Sequence, residues 1–224
     1  MIRVPIGAYG SGGPYHSSSI ESVLSAIRGI KVAYPSCGAD LKGLLKAAVA
    51  DPNPVVVLEH KGLYWSKVPG TEAAKTVEPA EDYRLPLGLA KVVQPADEGR
   101  KGPKLSIVTY GRGVHWALAA SREWPGQVEI VDLRSIVPLD RETVLASVRR
   151  CHRCLVLTEE PPAGSFAQAV AGMISEEAFE SLDAPVRCLG SMEVPAIPLN
   201  ETLEAAVLPN AEKVADACRA LLSY

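Results

Sequence analysis

The chain has 224 residues, 47% of them hydrophobic and 22% charged, with a formal net charge of -3. This composition supplies a packed core and argues against disorder, and the lack of any block of Lys or Arg removes the electrostatic footprint of a nucleic-acid binder. No apolar run approaches the roughly 20 residues of a membrane span, and MIRVPIGAYG has neither the charged and apolar regions nor the cleavage site of a signal peptide, so a cytoplasmic placement is expected.

Residues 3–8 read as a strand that runs into Tyr9-Gly10-Ser11-Gly12-Gly13-Pro14-Tyr15-His16, a glycine-rich loop that puts one imidazole on flexible backbone. Ser17, Ser18 and Ser19 offer N-caps for a helix to about Ile27, with Gly29 as its left-handed terminator. A short apolar run over 30–34 is stopped by Pro35, and Leu41, Leu44, Leu45, Ala48 and Val49 recur at helical spacing over 40–50. Pro54-Val55-Val56-Val57-Leu58-Glu59 is a β-branched run of the sort buried on both faces of a parallel sheet. This alternation implies right-handed crossovers and a parallel sheet. A glycine-rich βα turn ordinarily has several strands before it, so with so few residues ahead of it the sequence is expected to start midway through a domain.

Over 67–100, Pro69, Gly70, Pro79, Pro86, Pro95 and Gly99 alternate with charge, as in a linker on a surface, with room for one strand over 89–93. A second series follows, with strands expected over 105–109, 128–133, 154–158 and 186–189. Helices are expected between and after them, over 112–123, 140–150, 165–179 and 210–222. This second half has the size of an ordinary α/β domain, whereas the first, at about 65 residues, is small for one. No internal repeat of fixed period is present.

Several side chains carry chemistry. Cys37, Cys151, Cys154, Cys188 and Cys218 are odd in number and scattered, which favours reduced thiols. Cys151-His152-Arg153-Cys154 has redox or zinc spacing, but it runs into the strand Leu155-Val156-Leu157 rather than a helix, and no second ligand pair exists. Gly10 to Gly13 with the following helix start is a rival anion cradle, although the Lys-Ser/Thr ending of a P-loop and the dinucleotide spacing are both missing. Asp51-Pro52-Asn53-Pro54 reads as a helix end and the turn that launches a strand. Glu59, His60, Tyr64 and Trp65 follow a strand's C-terminal end, where open α/β sheets put binding crevices, and the two aromatics are expected to pack against the next domain. His115 is expected as a satisfied polar residue at a subunit contact. Glu159-Glu160, with no partner nearby in sequence, is expected to cap or to meet a neighbouring chain. From spacing alone His16 reads as a surface or capping residue, although imidazole titrates near neutral pH and suits acid–base work.

Six blocks occur in the order seen in one group of enzymes: Gly13-Pro14-Tyr15-His16-Ser17, the segment 42–48, the segment 51–60, Leu85-Pro86-Leu87-Gly88, Val108-Thr109-Tyr110-Gly111 and Val131-Asp132-Leu133-Arg134. Through Leu208-Pro209-Asn210 the chain resembles the beta subunit, or the beta half of a fused chain, of the thiamine-diphosphate-dependent decarboxylating component of 2-oxo acid dehydrogenase complexes. The resemblance implies an α/β chain: a truncated pyrimidine-binding parallel-sheet domain over 1–66, a linker over 67–86, and a transketolase C-terminal-like three-layer α/β/α domain over 87–224. It gives His16 a role at the mouth of the thiamine site, in acyl transfer to the lipoyl arm. It gives the backbone carbonyls of Ala48, Asp51 and Asn53 to a monovalent cation, potassium, for which oxygen donors suit a hard ion. Diphosphate and magnesium would be held by an alpha-type subunit or domain, since no Gly-Asp-Gly with a distant Asn is present. The glutamate that activates the aminopyrimidine would precede Met1, so the chain alone is expected to be inactive. Implied partners are that alpha-type subunit, a second copy through the C-terminal domain, and a lipoyl-bearing acyltransferase; the helix carrying Val214, Cys218, Leu221 and Leu222 fits core packing or such an interface. A purely assembling module stays open. So does ketol transfer of the transketolase or deoxyxylulose-phosphate synthase kind, although the Pro-Tyr-His-Ser loop and the Asp-Pro-Asn-Pro turn favour the dehydrogenase branch. Branched-chain 2-oxo acids are preferred over pyruvate on resemblance alone.

Overall fold

A computed structural model describes residues 1–64 and 68–224, so Trp65 lies outside the described residues. The first half contains β1 (Ile2–Ile6), α1 (Gly13–His16), α2 (Glu21–Ser25), β2 (Lys31–Ala33), α3 (Gly38–Ala50) and β3 (Val55–His60). The second contains β4 (Lys91–Gln94), β5 (Leu105–Thr109), α4 (Arg112–Ala120), β6 (Val128–Asp132), β7 (Ser135–Val137), α5 (Arg141–Cys151), β8 (Cys154–Leu157), α6 (Phe166–Glu177), β9 (Arg187–Leu189), α7 (Glu201–Val207) and α8 (Ala211–Leu222).

Two sheets form, in the orders β1-β3-β2-β7 and β4-β6-β5-β8-β9. In the first, β3 is internal, parallel to both β1 and β2, and buried at all six positions, the apolar run of its first four residues continuing into buried Glu59 and His60. Its fourth strand comes from the other half of the chain: β7 adds antiparallel to β2, pairing Val32 with Val137 and Ala33 with Ser135. In the second sheet β5, β6, β8 and β9 are parallel and β4 closes one edge antiparallel to β6. Both sheets are therefore mixed and mainly parallel, and the chain is an α/β protein.

Strand alternation decides what each face touches. Leu105, Ile107, Ile130, Leu155 and Leu157 face α4 and α8, where Trp116, Val214, Cys218 and Leu221 complete one core. Val108, Val131 and Val156 face the other way, into a core with Val144 and Val148 of α5 and Val170 and Ile174 of α6. The same core takes in Ile6, Val32, Val56 and Leu58 of the first sheet, so both sheets share it. A third cluster, Ala33, Leu44, Ala48, Val55, Val57 and Leu85, packs α3 on the far side of the first sheet. Each large side chain removed from water in this way stabilises the fold by about 1.5–3 kcal/mol. The apolar face of α8 is thus core packing, with Val214, Cys218 and Leu221 fully buried. Asp140, Ser165, Asn200 and Asn210 cap α5, α6, α7 and α8 through their side-chain oxygens, as residue types at helix starts predict.

Some expectations need correction. The helix expected from the serine run does not form continuously: α1 ends at His16, α2 begins at Glu21, and neither has a side-chain cap. The Ser19 hydroxyl turns to Glu159 instead, the Ser18 hydroxyl donates back to the Pro14 carbonyl at 3.3 Å while its carbonyl accepts from Gly7 N at 3.3 Å, and the Ser17 hydroxyl has no partner among the described residues. Gly29 has the expected positive φ, +87°, but it lies three residues beyond Ala26, which caps the end of α2, so it is not the helix terminator. The strand expected over 89–93 is β4, and β7 and α7 are additions to the expected series. Among the described residues no helix is long and apolar enough to cross a membrane.

Candidate functional site

Ile6 and His60 are register partners at the C-terminal ends of β1 and β3, the end at which open α/β sheets bind ligands. The glycine-rich loop leaves β1 there, and His16 closes α1 as an exposed residue. Beside it lies a groove of about 420 Å³ lined by Val4, Pro5, Ile6, Tyr15, His16, Ser18, Ile20 and Lys61. The Lys61 ammonium donates to the His16 carbonyl, fixing the backbone that carries the ring. The anion-cradle alternative is answered by the chain itself, because Ser11 N–H donates to Glu204 of α7 at 3.1 Å.

Behind this loop sits a set of carboxylates from the second half. Glu159 Oε1 accepts from Ala8 N at 2.6 Å and from Ser19 Oγ at 3.4 Å, while Oε2 lies 2.8 Å from His60 Nε2. Gly62 N–H donates to His60 Nδ1 at 3.0 Å, so the ring's donor to Glu159 is Nε2–H. Burial pushes the Glu159 carboxyl up, but His60, Arg112 and the Ala8 N–H together hold it below its ordinary value. Arg112 also donates to the Ala8 carbonyl at 2.9 Å. Glu160 accepts from the Ser22 hydroxyl and from Ser22 N at 3.3 Å, and burial raises its carboxyl. Glu21 is fully buried with no partner on either oxygen among the described residues; burial, then Glu160 and Glu159, push its carboxyl well above the ordinary range. Tyr34 and Tyr110, also buried here, are raised by the same desolvation. Glu159-Glu160 therefore meets the first half of its own chain, not a neighbour. The signal was not local, because the partners are 99 to 151 residues away.

His115 is buried as well, with Nε2 2.8 Å from the Ser36 carbonyl and Nδ1 without a partner among the described residues, so it is only half satisfied within the chain. Close by, Arg134 donates to Asp40 of α3 at 2.8 and 2.9 Å, and the Ser36 hydroxyl donates to Asp132 at 2.5 Å. Burial raises the Asp132 carboxyl to about 6. Glu59 accepts from Arg3 at 2.8 Å and from the Tyr64 hydroxyl at 3.0 Å, on the wall of a second cavity of about 410 Å³ that also touches Ser36, Cys37, Leu41 and Lys75.

Ala48 occupies the last turn of α3, Asp51 is its C-cap, and Asn53 follows in the turn. Asp51 Oδ2 takes Lys31 Nζ at 2.5 Å and Oδ1 takes both Asn53 N and Nδ2 at 2.9 Å, which hold its carboxyl near about 2. All five cysteines are free thiols. Burial pushes Cys151 up to about 12 and Cys154 higher still, so neither is disposed to redox or metal work. Among the described residues no group of three or more His, Cys, Asp or Glu side chains is placed to hold a metal.

Comparison with known proteins names what this two-sheet arrangement belongs to. Residues 1–66 match the model of the transketolase pyrimidine binding domain and residues 95–214 that of the transketolase C-terminal domain. The chain belongs to the transketolase-type family that joins these two domains. It is 37% identical to the 2-oxoisovalerate dehydrogenase subunit beta of Bacillus subtilis (strain 168), over 100% of this chain and 65% of that one. It is 36% identical to the pyruvate dehydrogenase E1 component subunit beta of Rhizobium meliloti (strain 1021), over 99% of this chain and 46% of that one. The chain therefore spans less than two thirds of the length of these relatives. A solved structure described as a split gene transketolase, inactive beta4 tetramer, matches with a TM-score of 0.71 at 21% identity, over 99% of this chain and 66% of that one, and shares the fold.

Proposed function

We propose that the chain is the beta-type part of a 2-oxo acid dehydrogenase that decarboxylates a 2-oxo acid and passes the acyl group to lipoamide, with His16 as its catalytic residue. The observation that carries this is His16 itself: an exposed imidazole on a tethered loop, beside an open groove at the C-terminal end of β1 and β3. Thiamine diphosphate, when bound, supplies the electron sink for decarboxylation. Magnesium and the diphosphate are assigned to an alpha-type partner. What this chain contributes is a proton. The acyl carbon would supply the electron pair that forms its bond to one lipoyl sulfur as the S–S bond breaks, would be oxidised to the thioester level as its bond to the cofactor is released, and the departing sulfur would take a proton from the His16 ring. The apolar walls Val4, Ile6 and Ile20 exclude water from the arm, and Lys61 keeps the loop in place.

A monovalent cation, potassium, at the carbonyls of Ala48, Asp51 and Asn53 belongs to the same reading. Pro52 stands four residues after Ala48 and has no N–H, so the Ala48 carbonyl lacks its helical partner. Branched-chain substrates are favoured over pyruvate by the slightly higher identity to the 2-oxoisovalerate enzyme. Free cysteines accord with a cytoplasmic, reducing compartment. Pairing through the C-terminal domain and docking on an acyltransferase complete the assembly, and the chain alone is inactive.

The test is reconstitution with an alpha-type subunit and a lipoyl domain. His16→Gln lowers lipoamide acylation by about 10²-fold or more, the usual worth of a positioned acid–base group, while leaving 2-oxo acid decarboxylation in place. Transfer to an aldose phosphate without lipoamide, or an unchanged acylation rate, overturns the reading.

A further inference from the structure

The loop that presents His16 is anchored from outside its own domain. Glu159, just beyond the C-terminal end of β8, reaches across the seam with a side chain 5% exposed. Its Oε1 takes Ala8 N on the outgoing stem and Ser19 Oγ on the returning stem. Its Oε2 takes His60, the residue before Lys61, whose ammonium holds the His16 carbonyl. One carboxylate thus touches all three segments that define where the imidazole sits. The surroundings fit the carboxylate closely. A Cβ on Gly7, where φ is +86°, would lie 2.2 Å from two atoms of the His60 ring, so the backbone next to Ala8 has room for the imidazole only because that residue is glycine. Glu204 and Leu199 close over Ser11 and Gly13 at the loop tip, again from the second half.

Resting on the reading of His16 given above, we propose that Glu159 is the positioning residue for the His16 loop, so that the C-terminal domain sets the geometry of the proton donor without touching substrate. Ionised, buried and fully engaged, it is a strong anchor, because charge-assisted hydrogen bonds in a dry seam are worth more than neutral ones. Its loss frees the loop stems while the two cores stay intact.

The experiment is amide exchange of the full chain read by mass spectrometry, paired with turnover in the reconstituted complex. Glu159→Gln keeps the volume but removes the charge, and it is expected to speed exchange over residues 8–19 by about ten-fold or more with β5 unchanged. Ser22→Ala, which loosens the same seam at Glu160 and Phe166 without touching the stems, leaves residues 8–19 within two-fold of the parent. In the complex, Glu159→Gln lowers kcat for lipoamide acylation by about ten-fold with KM for the 2-oxo acid unchanged, and Glu159→Asp recovers part of the loss. Exchange over 8–19 unaltered in Glu159→Gln, or equally raised by Ser22→Ala, overturns the inference. Should Glu159→Gln fail to fold, His60→Leu removes the contact at Oε2 together with the bond from Gly62 N–H, and must still speed exchange over 8–19; no change there overturns the inference too. His16→Gln with unchanged acylation would instead remove the catalytic reading and leave the exchange result standing.

Discussion

Replacing Arg134 by Met tests whether the two halves are held by a buried ion pair. The guanidinium donates to both oxygens of Asp40 at 2.8 and 2.9 Å, and the two side chains are only 10% and 6% exposed. Removing one partner of such a pair leaves an uncompensated charge out of water and costs about 3–5 kcal/mol, whereas replacing both by apolar side chains is often close to neutral. Against a typical domain stability of about 5–15 kcal/mol, Arg134→Met alone takes a large fraction, and Arg134→Met with Asp40→Met restores most of it. Position 134 keeps its left-handed backbone, φ +56°, in both variants, so that strain cancels in the comparison. The assay is equilibrium urea unfolding followed by tryptophan fluorescence at pH 7.5 for the parent, both single variants and the double. A single-variant loss below about 1 kcal/mol, or a double no more stable than the singles, refutes the reasoning.

The remaining expectations are shorter. Asp132 is raised from 3.8 to about 6 in the folded chain, so its contribution is full below pH 4, declines between pH 4 and 6, and stays lost above that. Asp132→Asn removes the decline, gaining up to about 3 kcal/mol on the parent between pH 4 and 7.5; a pH-independent difference in urea midpoints sinks this. Glu21, also raised by burial, loses stability as pH rises through its folded value, so Glu21→Gln stabilises at pH 8 and has little effect at pH 4, read from Tm at the two pH values. An unchanged Tm at pH 8 contradicts it. Gly7→Ala forces a Cβ to 2.2 Å from the His60 ring at a positive φ and costs about 2 kcal/mol or more, measured by urea unfolding. If potassium sits on the carbonyls of the 48–53 turn, Tm rises with added KCl relative to choline chloride at equal ionic strength, and Pro52→Ala lessens that rise by giving the Ala48 carbonyl a helical partner.

Much of this fold is written in local pattern. The β-branched run of β3, the 3.6-residue spacing in α3 and the Asn210 cap of α8 each state their element within a dozen residues, and the structure agrees with them. The failures share a cause. Ser17 to Ser19 have the composition of helix caps, but the Ser17 hydroxyl is left without a partner among the described residues, the Ser18 hydroxyl turns back to the Pro14 carbonyl, and the Ser19 hydroxyl goes to Glu159, 140 residues away. β7 is three residues long and exists because the edge of β2 needs a partner. The candidate site divides the same way. His16 stands out through its glycine-rich setting, whereas the carboxylate behind it looks in sequence like a surface pair and gains its meaning only when the two sheets pack.

Exchange of β7 into the first sheet bears on how the molecule survives cleavage. The stretch from Lys75 to Asp82 is mostly open to proteases, with Val77 91% exposed, yet a cut there would sever one peptide bond and none of the hydrogen bonds between Val32 and Val137. The two pieces should co-purify under native conditions and part only in denaturant. A gene divided at that point would yield complementing polypeptides, and neither would be expected to reach its native form without the other.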